Sequence, residues 1–268
     1  MIIGGKQFDF ENHAYIMGIL NITPDSFSDG GKYQKMDIAL KQVEQMLAEG
    51  ATIIDIGGES TRPGHIKISD EEEIQRVIPV IEAIKERFDT VISLDTYKGK
   101  VAKAGISAGI HMINDIWGLK WDNQLAFVVS EGEIPICLMH NREHTRYENF
   151  VEQVLKELQQ SVALAHRAGI SDDKIILDPG IGFGKTYEQN LLILKNLSEL
   201  YKLGYPVLLG TSRKSVIGMT LDLPVDQREE GTITTTVQGY MAGARIFRVH
   251  NVQANVRALQ MIEAIERA

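Results

Sequence analysis

The sequence predicts the α/β class: a (β/α)8 barrel of the TIM type, one domain over 1–268, with a small N-terminal hairpin over 1–12 before the first barrel strand. Three observations predict it. Eight short apolar runs recur along the chain, each ending in polar residues or glycine. Amphipathic segments alternate with them, and no shift of composition marks a boundary between domains. Runs that are apolar without alternation suit strands covered on both faces, which is how parallel sheets are built. An open doubly wound sheet would share the alternation, but a count of eight favours the closed ring.

The elements follow in order. Met1-Ile2-Ile3 and Gln7-Phe8-Asp9-Phe10 flank a Gly4-Gly5 turn and read as a hairpin that closes the bottom of the barrel. The eight strands are expected at 16–20, 53–56, 91–94, 112–113, 136–139, 175–177, 207–209 and 246–249. Ala39, Leu40, Val43, Met46 and Leu47 share one face of a helix over 36–49, and Gly50 stops it. Ser69 and Glu72 have capping-box spacing at the start of a helix carrying Ile74, Val77, Ile78 and Ile81. Similar stripes occupy 151–168, 190–203, 232–242 and 255–265. The 97–109 connection leaves room for about three helical turns.

Composition narrows the class. A chain of 268 residues can bury roughly three quarters of its unfolded surface in one core. No low-complexity tract signals disorder. No apolar run approaches the ~20 residues of a membrane helix, and residues 1–20 lack the basic-then-apolar pattern of a secretion leader. A net charge of −8 and a pI of about 5.4 argue against nucleic acid or an anionic membrane as partner. The single cysteine, Cys137, points to a reducing, cytoplasmic compartment and reads as a buried structural thiol.

Polar residues gather at the strand ends, which all face one mouth in a parallel barrel. They are Asn21, Asp55, Asp95, Asn114-Asp115, His140-Asn141, Asp178, the 210–215 stretch, and Arg248 with His250. Ser212 is placed to cap the helix after the seventh strand, near Lys214 and Ser215. Arg248 and His250 are two apart, on one face of an extended strand, and with Lys214 they form a cationic pocket suited to an anion. A salt bridge for Arg248 and a core hydrogen bond for His250 is the plainer alternative. Asp95, Asn114 and Asp178 would suit a ligand rich in N–H donors, such as a guanidine-like ring edge. The 21–31 connection reads as a lid, and Thr61 and Arg62 in the 57–64 loop offer further anion contacts. Asp55 and Glu59 are expected to order loops, and the acidic 71–73 run to be a solvated helix start.

The strings MGILNITPDSFSDGG (17–31), DIGGESTRPG (55–64), SLDTYK (93–98), INDIWG (113–118), LDPGIGFGK (177–185), GTSRKS (210–215) and RVHN (248–251) strongly resemble the dihydropteroate synthase family, in the family's order. The resemblance implies a (β/α)8 enzyme of folate biosynthesis, cytoplasmic and homodimeric, dependent on Mg2+. Its substrates would be dihydropterin pyrophosphate and 4-aminobenzoate, with sulfonamides competing for the second. By similarity Asp95, Asn114, Asp178 and Lys214 would hold the pterin. Asn21 would help ligate the metal. Thr61, Arg248 and His250 would meet the pyrophosphate. Phe183 and Ser215 would line the aminobenzoate pocket, with Arg62 and Pro63 closing over it. Phe27 and Asp29 would come from the lid, with Asp29 stabilising a cationic methylene. Arg248→Ala is expected to damage pyrophosphate handling while leaving folding largely intact.

Two rivals are a methyltetrahydrofolate:corrinoid methyltransferase domain and a non-catalytic pterin-binding paralogue. GTSRKS, RVHN and the 17–31 string favour the synthase over the first, which has no pyrophosphate to bind. No motif position is substituted as the second would suggest.

Overall fold

A computed structural model describes residues 1–22, 32–60 and 67–268. β1 (Ile2–Ile3) and β2 (Lys6–Gln7) pair antiparallel around Gly4 and Gly5, whose φ values of +57° and +76° make a left-handed two-residue turn. A Cβ on Gly4 would also lie 2.7 Å from the His111 ring, so the turn needs glycine twice over.

Eight parallel strands follow among the described residues: β3 (Tyr15–Asn21), β4 (Ile53–Gly57), β5 (Val91–Asp95), β6 (Met112–Asp115), β7 (Ile136–Met139), β8 (Ile175–Asp178), β9 (Leu208–Leu209) and β10 (Ile246–Val249). Their order is β8-β7-β6-β5-β4-β3-β10-β9, and a parallel bridge between Leu177 and Val207 joins the two outer strands into a ring. Helices α1 (Lys32–Ala48), α2 (Asp70–Arg87), α3 (Gly99–Ala108), α4 (Leu125–Glu131), α5 (Phe150–Arg167), α6 (Tyr187–Lys195), α7 (Ser198–Tyr201), α8 (Ser215–Leu221), α9 (Glu229–Met241) and α10 (Val252–Glu266) lie between the strands and after the last.

Alternation along each strand sorts the side chains. Ile54, Ile56, Ile92, Leu94, Ile113, Leu138, Leu177, Leu209 and Phe247 face the helices in the larger core. Met17, Ile53, Val91, Met112, Cys137, Ile176, Leu208 and Ile246 turn inward and form the barrel floor, which Ile3 and Phe8 of the hairpin plug. Two residues further along β4, β5, β6, β8 and β10, the inward positions become polar. Asp55, Ser93, Asn114, Asp178 and Arg248 therefore sit above an apolar floor, where fixed charges feel little solvent.

Five details differ from expectation. Strands β3 to β6 and β8 run on through their polar terminal residues, so Asn21, Asp95, Asn114 and Asp178 belong to the strands and are held by the ladder. The 190–203 stripe starts earlier and is two helices, α6 and α7, divided at Asn196, whose side chain turns back to the Leu192 carbonyl. A full capping box of Thr186 with Gln189 opens α6. Ser69 caps α2 by accepting from the Glu72 amide, but the Glu72 carboxylate pairs with Arg76 instead of reaching back. The acidic run is not wholly solvated either. Glu73 is buried and ion-paired with Lys98, because α2 turns that position toward the β5 loop.

Candidate active site

The interior positions of β4, β5, β6 and β10 meet on one carboxylate. Asp55, fully buried, accepts from Ser93 Oγ at 2.6 Å, Asn114 Nδ2 at 3.2 Å and Arg248 Nε at 2.6 Å. A terminal nitrogen of Arg248 donates to Asp95 Oδ2 at 2.7 Å. Burial opposes the guanidinium charge, but Asp55 and Asp95 outweigh it and hold Arg248 above its ordinary range. Burial likewise pushes the Asp95 carboxyl up to about 7, against the pull of Arg248. Asp95 Oδ1 is buried and has no hydrogen-bond partner among the described residues. An unpartnered buried acceptor beside a paired one is suited to a ligand's N–H donor.

β8 brings the second carboxylate. Asp178 Oδ1 accepts from the Gly180 amide at 2.6 Å, so the strand-end carboxylate orders its own turn. Burial raises its pKa, while Lys214, that hydrogen bond, Lys185 and Arg248 pull the other way. Lys214 stands at the N-cap of α8 and donates to the Ile181 carbonyl, its ammonium 4.9 Å from the centre of the Phe183 ring. Burial lowers it to about 8. A Cβ built on Gly210 would lie 3.8 Å from both Lys214 Nζ and Arg248 Cβ, so Gly210 lies against both cations.

The rim completes the site. Ser212 is not a cap; its Oγ is 2.9 Å from His250 Nδ1 and accepts from the His250 amide at 3.2 Å, tying β10 to the loop after β9. Ser215 is exposed at the first turn of α8. Phe183 is partly buried against Tyr97, Ile116, Met139 and Trp117, an apolar cluster at the mouth. Asn21 is partly exposed at the end of β3, with its amide oxygen near Gly57. Phe27, Asp29, Thr61, Arg62 and Pro63 lie outside the described residues.

The chain matches the model of the pterin-binding enzyme family over residues 17–250. Over all 268 residues it is 56% identical to a dihydropteroate synthase of Clostridium beijerinckii, covering 100% of each chain. A dihydropteroate synthase of Clostridium difficile, solved in the presence of pteroic acid, superposes with a TM-score of 0.95 at 49% identity, over 98% of this chain and 100% of that one. A Yersinia pestis dihydropteroate synthase solved as a sulfonamide drug complex superposes with a TM-score of 0.92 at 40% identity, over 100% and 98%. The chain belongs to the dihydropteroate synthase family.

Membership makes it a transferase of folate biosynthesis. Asp95, Asn114, Asp178, Lys214 and Arg248 converge at the mouth expected of a dihydropteroate synthase barrel. Two features of this synthase escaped the sequence reading. Asp55 is the hub that positions Arg248 and Asn114, not merely a loop-ordering residue; the signal was its place in Ile53-Ile54-Asp55-Ile56-Gly57, where period two turns it inward. Lys185 and His140, each within a stretch the sequence singles out, are buried in contact with each other, a pairing that no local pattern marks.

Proposed function

We propose that the chain joins 4-aminobenzoate to (7,8-dihydropterin-6-yl)methyl diphosphate, giving 7,8-dihydropteroate and pyrophosphate. The observation that carries this reading is a single barrel mouth holding buried acceptors, Asp95 and Asp178, beside two partly buried cations, Lys214 and Arg248. One substrate combines a ring edge of N–H donors with an anionic tail, and this pairing matches both halves. Asn114 adds an amide to the pterin edge. Arg248 and His250, with Thr61, receive the diphosphate. Phe183 and Ser215 would line the aminobenzoate side, and the family resemblance assigns Phe27, Arg62 and Pro63 to the same substrate.

In the reaction the methylene C–O bond breaks and the diphosphate leaves with the electron pair. Positive charge is then shared between the methylene and the electron-rich pterin, with Asp29 as its counter-ion. The neutral aniline nitrogen attacks the methylene, forms the C–N bond and releases its proton to solvent. Cations fixed in an apolar cup lower the barrier because they are already oriented when charge develops on the leaving group. Little base catalysis is needed.

The donor set at the mouth fits Mg2+ only in partnership with substrate. Among the described residues no three His, Cys, Asp or Glu groups gather as a metal cage. A Cβ on Gly57 would lie 3.5 Å from Asn21 Oδ1 and 3.8 Å from Asp95 Oδ2, so two hard oxygens flank a bare position. Mg2+ is commonly held by few protein oxygens together with phosphate and water, and Asn21 would supply one of them. Bound there, it would neutralise the departing diphosphate.

Competition by sulfonamides for the aminobenzoate side and a cytoplasmic location belong to the same reading, as does a homodimer. Among the described residues no helix is long and apolar enough to cross a membrane. Leu191 and Leu221 lie exposed along an apolar groove between α6, α8 and α9, a face a second copy would cover. The deciding experiment measures pyrophosphate release with each substrate alone and with both. Release only with both establishes the reaction; binding without turnover would favour the inactive pterin-binding paralogue.

A further inference from the structure

A second lysine stands behind the site. Lys185 closes the glycine-rich turn after β8, is buried, and donates to the carbonyls of Gly180 and Phe183, each at 3.0 Å. Its third close partner is His140 Nδ1 at 2.8 Å, with a longer contact of 3.4 Å to the His140 carbonyl. A charged lysine can only donate, so Nδ1 accepts and the histidine proton sits on Nε2. Nε2 then donates to Glu157 Oε2 at 3.0 Å, and Arg142 closes the chain on the same carboxylate. Burial keeps His140 neutral down to about pH 4, which agrees with this tautomer.

The turn has no slack. A Cβ on Gly180 would fall 1.9 Å from the His140 carbonyl oxygen, and one on Gly184 would fall 2.6 Å from the Arg142 carbonyl oxygen. Lys185 and Lys214 therefore hold one turn by different carbonyls: Lys185 by Gly180 and Phe183, Lys214 by Ile181. The Gly180 amide in turn holds Asp178 Oδ1.

We propose that Lys185 is a positioning residue for this reaction: its ammonium, oriented by the His140–Glu157 pair, fixes the 180–184 turn so that Phe183 and the Asp178 carboxylate take their working places. The proposal rests on the synthase reading for what those places do. Lys185 also acts through charge. Asp178 is faced by Lys214 at the start of α8, by Arg248 on β10 and by the Cys137 thiol on β7. Lys185 itself is faced by His140 on β7, Glu157 on α5, Lys120 after β6 and Lys214. In acid solution Lys185 is charged and opposes protonation of Asp178, so its loss moves the Asp178 titration upward.

The test compares Lys185→Met, Lys185→Gln and Lys185→Arg with the parent enzyme. It reads pyrophosphate release against pH, and deuterium exchange at the amides of 180–184. In Lys185→Met those amides exchange faster, and kcat/KM for the pterin substrate falls about tenfold to a hundredfold. Its acid limb moves up by about half a pH unit. Lys185→Gln keeps a donor but no charge, so the limb shifts with a smaller loss; Lys185→Arg returns the limb toward the parent. Parent-like exchange and an unmoved acid limb in folded Lys185→Met overturn the proposal. If that variant does not fold, an unmoved limb in Lys185→Gln overturns it equally. A parent enzyme that releases no pyrophosphate defeats the reaction instead, and the exchange rates still decide whether Lys185 holds the turn.

Discussion

Arg248 Nε lies 2.6 Å from Asp55 Oδ2, a pair in which the Asp55 side chain is fully buried and the Arg248 side chain is 18% exposed. The same guanidinium reaches Asp95 at 2.7 Å. One cation thus answers two carboxylates from two neighbouring strands, at the level where the barrel interior turns from apolar to polar. The arrangement fixes the direction of the guanidinium before any ligand arrives.

Arg248→Ala consequently damages more than substrate handling. The expectation from sequence is that folding stays largely intact, but removing the shared partner leaves the buried Asp55 and Asp95 side chains without their cation and costs about 3 kcal/mol. Denaturant unfolding checks this, together with a fall in kcat/KM of about a hundredfold or more. A variant as stable as the parent and fully active would remove Arg248 from both roles.

Asp95 gives the parent fold its own pH signature. Its carboxyl is raised to about 7 in the folded chain against 3.8 ordinarily. The folded state therefore holds a proton that the unfolded state has released, and stability falls as pH rises from about 4 to 7. Asp95→Asn removes that slope. The difference in unfolding free energy between variant and parent should grow by about 3 kcal/mol across the window, in the variant's favour at the higher pH. An unchanged difference would show that Asp95 is ionised throughout.

Lys214 governs the other side of neutrality. Lowered to about 8, it loses its charge within the assay range. kcat/KM for the pterin substrate should therefore decline above pH 8. Lys214→Arg should be slower at pH 7, since a planar fork replaces a point charge, but should keep its rate flat to about pH 9.5. A pH–rate profile of kcat/KM separates the two behaviours.

Gly180→Ala tests the turn without touching a charge. Its φ of +71° and the 1.9 Å approach to the His140 carbonyl leave no room for a methyl group. A loss of about 3 kcal/mol or more is expected, with activity falling alongside. Calorimetry against the parent measures it.

The sequence made legible what repeats at short range. Buried strands read as apolar runs, and Asp95, Asn114, Asp178 and Arg248 were visible because each closes or interrupts such a run. Asp55 was visible too, but its weight was not: only the register that sets it opposite Ser93, with Arg248 across the interior, makes it a hub. Glu73 looked like solvent-facing helix chemistry because its partner, Lys98, arrives from another strand's loop. Lys185 and His140 are 45 residues apart and meet only once two βα turns pack together. Contacts of that kind leave no periodic trace.

The floor beneath this machinery holds the chain's one thiol. Cys137 is fully buried among Met112, Ile176 and the plug residues, and that setting holds it well above the ordinary thiol range. A disulfide reagent can therefore modify it only when the ring of strands comes apart. The rate of that labelling clocks barrel opening in the unaltered protein, and any ligand that bridges opposite strands at the mouth should slow the clock by the amount it stabilises the closed form.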